Sequence, residues 1–559
     1  MSAPRSGRGR GAAWRVTGAL ATMVFAVLST LIFEVSAVGA TSYVPVYGEG
    51  SSWSANAINQ WISDVQQSGM RVQYTANGST AGRQDYILGK TDFAASDIPF
   101  QTNPGDGTAA ETPQANSYAY MPITAGGTVF MYNLKIDGQQ VTNLRLSGEN
   151  IAKIFTGAIT NWDDPALAAD NPGLTLPNES IVPVVRSDGA GSSYELSEWM
   201  INQYPSLWNS YCSASGRAPA CGATSFYPTV TGMIAQSGDL GVAGYVSAGY
   251  ASGSIGYVEY SYALNDKFPV AQMLNAAGYY TEPTAQNVAV SLLAAQVDTT
   301  DVNNPALYLT ENLQGVYTDP DPRTYTLSSY SYLILPTTIA SDSSFSAAKG
   351  ATLAAFSYYA MCQGQQQSAL LGYSPMPINL VEASFNQIAK IPGADVQSIN
   401  IQGCNNPTFT PSGANLLAQT APYPPACDKQ GPIQCTNGTG GAAAATPVSA
   451  GAPEATSGAA GSTGSAGASG SSGSTAVAGS SAATGAGGSA AAASTCAGKS
   501  GCTSSTGPRD APPRPLPATL DVSAGWSVDQ TLMALIAAVL LAAVLLPGLL
   551  SGRFSRRKR

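Results

Sequence analysis

The 559-residue sequence contains no histidine. That absence excludes Ser-His-Asp and Cys-His nucleophilic machinery, His-ligated zinc and any imidazole acid or base. Charge is scarce as well. Only 11% of residues are Asp, Glu, Lys or Arg, against about a quarter in ordinary globular chains. None of the eight cysteines forms a Cys-x-x-Cys pair of the zinc or redox type. A formal charge of −9 and a pI near 4.7 point away from nucleic acid, whose partners are usually basic. What is present is apolar: 44% hydrophobic residues suffice for a real core.

Both ends of the chain are apolar beside basic residues. Arg5, Arg8, Arg10 and Arg15 precede the apolar stretch Val16 to Phe33, and small residues follow through Ala40. This is the pattern of a signal peptide over 1–40, with cleavage after Ala37 or Ala40 both compatible. At the other end Thr531 to Leu550 runs without a charge. That length crosses roughly 30 Å of hydrocarbon as a helix. Arg553, Arg556, Arg557, Lys558 and Arg559 follow, so 551–559 is expected as a cytoplasmic tail and 531–550 as a membrane anchor. Leu516-Pro517-Ala518-Thr519-Leu520 is similar to a sortase signal, but Leu520 stands where Gly belongs, and a retained anchor is the reading adopted. The two ends hold nine of the 25 basic residues and one of the 34 acids, leaving 16 basic against 33 acidic side chains, a balance of −17. An anion bound to such a body must be held by local geometry.

From Gly441 to Ser500, 47 of 60 residues are Ala, Gly or Ser. This composition has little to bury and cannot offset its ordering entropy. A flexible spacer over 436–530 is therefore expected, stiffened near its end by Pro512, Pro513, Pro515 and Pro517. In an exported chain the cysteines read as disulfides. Proximity suggests Cys212/Cys221, Cys362/Cys404, Cys427/Cys435 and Cys496/Cys502, among many possible connectivities.

The remaining 41–435 is expected to be a two-lobed α/β body. Periodicity predicts a helix over Ala55–Gln67 and another over Ser192–Gln203, with strands at Arg71–Tyr74 and Ile181–Val185. Three Gly/Ser loops stand before or between such elements: 48–55, 77–82 and 186–193. Each would present free N–H groups and hydroxyls at a helix N-terminus, an arrangement that binds oxyanions. The plainer reading of each is an ordinary Ser N-cap. None of the three continues into Gly-Lys-Ser/Thr, and no Gly-x-Gly-x-x-Gly is tied to a downstream acid, so no nucleotide cofactor is expected.

In these loops the chain resembles the phosphate-binding proteins of bacterial phosphate ABC transporters, the PstS family. The resemblance rests on Gly48-Glu49-Gly50-Ser51-Ser52-Trp53, Gly78-Ser79-Thr80-Ala81-Gly82 and Asp92-Phe93-Ala94-Ala95-Ser96-Asp97-Ile98-Pro99. It continues through Ile154 to Pro165, Arg186-Ser187-Asp188-Gly189-Ala190-Gly191-Ser192-Ser193, Gly256 to Tyr260 and Leu371 to Pro377. It implies a type II periplasmic-binding-protein fold of two lobes closing on phosphate at their cleft. The first lobe would be about 41–116 and 326–435, the second about 117–325. It also implies the ligand residues Ser52, Trp53, Ser79, Asp97, Arg186, Asp188, Gly191 and Ser192. Two departures stand out: Trp53 where the family usually has Phe, and Ala190 where it has a Ser hydroxyl. A backbone N–H at 190 is expected to remain for the ligand.

Asp97 gives this set its selectivity. Phosphate near neutral pH carries a proton to donate, whereas sulfate would face an unpaired carboxylate. The plainer readings are a helix N-cap for Asp97 and a surface ion pair for Arg186 and Asp188. The function implied is a membrane-tethered receptor that binds inorganic phosphate and delivers it to the permease subunits of an ABC importer, with neither enzymatic activity nor nucleic-acid binding. The alternative is a surface interaction or adhesion protein on the same scaffold. The stretch 279–325 lacks good matches to the family pattern and is expected as an insertion on one lobe.

Overall fold

A computed structural model describes residues 43–340, 344–396, 401–410 and 413–442. All belong to the first of two compact units, residues 1–461. The leader, the Leu516–Leu520 string, the Thr531–Leu550 span, the basic tail and Cys496/Cys502 lie outside the described residues. Among the described residues no helix is long and apolar enough to cross a membrane.

The chain begins with alternating strands and helices: β1 (Val46–Gly50), α1 (Ala55–Gln66), β2 (Val72–Thr75), α2 (Ser79–Ile87) and β3 (Phe93–Ser96). β1 lies parallel between β2 and β3. Helix α1 buries Ala57, Ile58, Trp61, Ile62 and Val65, the stripe that its 3.6-residue spacing predicts. β4 (Tyr118–Tyr132) is fifteen residues without a charge, every one buried. Burial on both faces removes the alternation of a half-exposed strand.

The middle of the chain supplies β5 (Val182–Arg186), α3 (Gly191–Gln203), α4 (Pro205–Ala214), β6 (Ile234–Gln236), α5 (Gly238–Val246), β7 (Ser254–Glu259) and β8 (Val270–Leu274). The chain then passes through α6 (Ala285–Ser291) and returns along β9 (Ser328–Pro336), followed by α7 (Ala347–Met361) and α8 (Ile378–Ile388). The main path of the sheet runs β2-β1-β3-β9-β4-β7-β5-β6. β4 serves both halves. Its residues Tyr118–Gly127 pair antiparallel with β9, and Thr128–Tyr132 pair antiparallel with β7. This is the two-lobed α/β arrangement that the resemblance implies, with β4 bridging the two halves of the sheet.

The four sequence-derived helices and strands appear within one residue of their expected bounds. Disulfides join Cys212 to Cys221, Cys362 to Cys404 and Cys427 to Cys435. The stretch 279–325 forms α6, a two-stranded ladder of Gln296–Val297 with Glu311–Asn312, and a short helix Gln314–Tyr317. The last described residues return to the middle segment. Arg145 donates to the Cys427 and Pro432 carbonyls, and Thr439 donates to the Val270 and Thr142 carbonyls.

Candidate functional site

Three helices, α1, α2 and α3, start at the three Gly/Ser loops. Their N-cap residues are Ser54, Gly78 and Ala190, and none caps its helix with a side-chain hydrogen bond. The first amides of a helix have no intrahelical acceptor, and the positive end of the dipole lies there. The plainer expectation of ordinary Ser caps therefore does not describe these ends.

Contacts gather the loops into one cluster. Thr80 N–H donates to the Gly189 carbonyl at 2.9 Å. Gly191 opens α3 directly against Asp97: a Cβ there would lie 2.7 Å from Asp97 Oδ2. No larger residue fits at 191 unless Asp97 moves.

Asp97 follows the end of β3 and is buried. It caps no helix. Its Oδ1 accepts from Ser51 Oγ at 2.6 Å and Ser331 Oγ at 2.9 Å, and its Oδ2 from Ser79 Oγ at 2.9 Å. Burial pushes its pKa up. The three hydroxyls pull it partly back, and the charge of Asp239 adds to the rise.

Arg186 ends β5 and is 2% exposed. Its Nε donates to Asp188 Oδ1 at 2.8 Å and its Nη2 to Asp188 Oδ2 at 2.5 Å, a two-pronged contact. Nη1 reaches Asp239 Oδ2 at 2.6 Å, and Nη2 reaches Ser52 Oγ at 2.8 Å. Ser192 Oγ lies at 3.4 Å from Nη1. Burial opposes the guanidinium charge, but Asp239 and Asp188 outweigh it and hold the pKa above its ordinary value. Burial likewise opposes the Asp188 carboxylate, and Arg186 outweighs it, so Asp188 lies below the usual range. The expectation of a surface ion pair is corrected by this burial.

Ser52 donates to Asp239 Oδ2 at 2.5 Å, which ties the α1 loop to the start of α5. The Trp53 ring is buried, donates from Nε1 to Thr128 Oγ1 at 3.1 Å and meets Tyr373 edge-on at 5.9 Å. A second correction concerns residue 190. Its N–H donates to the Ser225 carbonyl at 2.9 Å, so it is not left over for a ligand.

All eight expected residues thus fall in or beside one cluster that joins the β1–β3 half of the sheet to the β5–β7 half. Three members were not foreseen: Ser51, Ser331 and Asp239. Ser51 adjoins Ser52 in a string already singled out, whereas Ser331 and Asp239 carry no local signal. Two further half-buried acids stand nearby. Glu195 follows Ser192 by three residues on α3, and Glu311 accepts the Tyr330 N–H at 3.1 Å. Burial and then their mutual repulsion push Glu195 well above its ordinary pKa; burial does the same to Glu311.

A family model described as "PBP superfamily domain" matches residues 35–363. The phosphate-binding protein PstS of Xylella fastidiosa (strain Temecula1 / ATCC 700964) is 32% identical over 346 residues, covering 61% of this chain and 84% of that protein. PstS of Pasteurella multocida is 33% identical over 273 residues, covering 48% of this chain and 72% of that protein. Among solved structures, a high-affinity periplasmic phosphate-binding protein with phosphate bound (PfluDING) is 18% identical, with a TM-score of 0.48 over 65% of this chain and 99% of its own. A phosphate-binding protein from Stenotrophomonas maltophilia is also 18% identical, with a TM-score of 0.45 over 66% of this chain and 99% of its own. By the family model and the sequence relatives, the chain belongs to the PBP superfamily and, within it, to the PstS family of phosphate-binding proteins.

Proposed function

We propose that the protein is an extracytoplasmic receptor that binds inorganic phosphate and hands it to an ABC-type importer. The observation that carries this reading is Asp97. A buried carboxylate faces the uncapped N-terminus of α3 and, among the described residues, its oxygens accept from three serine hydroxyls. Next to N–H donors that favour an anion, such a carboxylate favours an anion that brings its own proton. Monohydrogen and dihydrogen phosphate do so, and sulfate does not.

In this reading Ser52, Trp53, Ser79, Gly191 and Ser192 give hydroxyl or backbone donors, and Asp97 accepts the phosphate proton. Arg186 donates while Asp188 fixes its plane. Because Asp188 and Asp239 already match its charge, Arg186 acts as an aimed donor, and much of the ligand's charge falls to helix N-termini. The lobes of the reading are about 41–116 with 326–435, and 117–325. The signal peptide 1–40, the spacer 436–530 beyond its first residues, which pack on the body through Thr439, and the anchor 531–550 would tether this body outside the plasma membrane, with a reach of about 50 Å from a flexible chain of some ninety residues. Binding and delivery require no enzymatic step.

Equilibrium dialysis of the intact protein with labelled phosphate, competed by sulfate and arsenate, tests the binding. Competition by arsenate and not by sulfate is expected. Equal competition by sulfate, or no bound phosphate, removes the reading. Membrane fractionation of the full chain against one ending at residue 530 tests the tether.

A further inference from the structure

Away from the candidate ligand residues, two loops from opposite lobes meet. One spans 101–111, between β3 and β4. The other spans 215–226, after α4. Gly222 N–H donates to the Gly105 carbonyl at 2.9 Å. Arg217 Nη2 donates to the Asp106 carbonyl at 2.9 Å and lies 3.4 Å from the Asp106 carboxylate. The approach is backbone on backbone. A Cβ at Gly222 would come within 2.5 Å of the Gly105 carbonyl carbon, closer than any side chain permits.

The Arg217 side of this contact is fixed within its own lobe. Its Nη1 donates to Thr224 Oγ1 at 3.2 Å and to the Phe226 carbonyl at 2.9 Å. The Cys212–Cys221 disulfide closes the loop that carries it, and Trp208 Nε1 holds the Cys221 carbonyl at 2.8 Å. The Asp106 side is fixed as well, since Asp106 Oδ1 accepts the Thr108 N–H at 3.0 Å and the Thr108 hydroxyl at 2.6 Å. The 215–226 loop also backs the ligand loop, because Ser225 accepts the Ala190 N–H.

Two loops rigid in their own lobes, touching through the Arg217 guanidinium, the Gly222–Gly105 peptide hydrogen bond and a hydrogen bond between Thr224 and the Asp106 carboxylate, form a contact that separates when the lobes separate. We propose that Arg217, Asp106 and the Gly105–Gly222 pair are a latch that holds the lobes closed and slows ligand release, with Arg217 as a positioning residue outside the ligand contacts. The ligand named in the test rests on the phosphate reading above.

The test measures phosphate association and dissociation rates of the full chain by stopped flow, for wild type, Arg217→Ala, Asp106→Asn and the double variant. Losing charge-assisted hydrogen bonds is expected to speed dissociation of Arg217→Ala about tenfold or more. Association should change by less than about threefold, since affinity changes of this kind fall mainly on release. Asp106→Asn should act more weakly, and the double variant should release no faster than Arg217→Ala. A release rate within about twofold of wild type for Arg217→Ala, or an Asp106→Asn effect undiminished in its presence, overturns the latch. Gly222→Ala supplies a second variant that leaves the guanidinium in place, and it should also accelerate release. If the wild type binds no phosphate, the ligand reading fails by itself, and small-angle scattering then decides the latch. Arg217→Ala must shift the unliganded protein toward a larger radius of gyration, and an unchanged radius overturns it.

Discussion

Asp97 and Asp188 follow β3 and β5, in opposite halves of the sheet, both beside the start of α3, and their surroundings push them in opposite directions. Asp97 is raised by burial and, among the described residues, holds three neutral serine hydroxyls. Asp188 is lowered because a guanidinium grips both its oxygens. The residue type is the same, and burial works against the charge at both. The difference lies in the donor. A cation fixes a carboxylate as a permanent anion, which suits a part that aims Arg186. Hydroxyls satisfy a carboxylate without committing its charge, which suits an acceptor that must answer a proton on the ligand.

The strongest way to break this contrast is to remove the cation. Arg186→Ala leaves Asp239 buried, and Asp188 largely so, without their counter-charge. Destabilisation of about 3–5 kcal/mol is expected, as for other buried pairs cut on one side. Denaturant unfolding would measure it. Phosphate affinity in dialysis should fall by about a hundredfold or more. A loss of affinity with unchanged stability would mean that the two carboxylates are solvated in a way their burial does not suggest.

Asp97→Asn tests the other side and should behave differently. The amide keeps a carbonyl acceptor for the serines, so folding should be little affected. Phosphate loses an acceptor for its proton, and affinity should drop about ten- to a hundredfold. Sulfate, no longer facing a carboxylate, should gain. A variant that still rejects sulfate as the wild type does would take selectivity away from Asp97.

The same contrast predicts a pH dependence in the wild type. The folded pKa of Asp97 is raised, so its contribution to stability is fully present below its ordinary value of 3.8 and is lost as pH rises through the raised value. Above that raised value Asp97 is an acceptor only. As pH falls through it, Asp97 becomes a donor and sulfate should be admitted. The phosphate-to-sulfate preference should therefore narrow on acidification, starting above pH 3.8. Asp188, whose pKa is lowered, keeps its charge through this window. Competition dialysis at several pH values measures the trend. A preference independent of pH down to the ordinary carboxylate range would place Asp97's titration elsewhere.

These two environments were unequally legible in the sequence. The loops of β1, β2 and β5 could be read because glycine and serine concentrate where a strand turns into a helix, and Arg186 and Asp188 sit two residues apart in one such loop. Helix α1 could be read from its apolar stripe. The partners that tune the carboxylates could not. Ser331 sits in the apolar strand β9 and reaches Asp97 from 234 positions away. Asp239 looks like an ordinary acid in a Gly-rich turn until α5 is packed against β5 and β7. β4 has no alternation because both its faces are buried. Tertiary pairing chose these contacts, and no local pattern encodes them.

The departure at Ala190 offers the smallest test, and it concerns the loop of Arg186. Ala190 is buried just before α3 and its N–H is already taken by Ser225. The residue therefore contributes neither a hydroxyl nor a free amide to the anion. Ala190→Ser restores a hydroxyl at the start of α3 without disturbing the backbone bond to Ser225. If the ligand sits at that N-terminus, the added donor should raise phosphate affinity by about tenfold, which is ~1.4 kcal/mol. The gain should be slight in an Arg186→Ala background, where the ligand is no longer held against the loop. It should persist in Asp97→Asn, because the hydroxyl acts from the start of α3 and not from the end of β3. A gain of equal size in both backgrounds would mean that the Arg186 loop and Asp97 grip the anion independently, and the division of labour between cation-held and hydroxyl-held carboxylates would have no bearing on affinity.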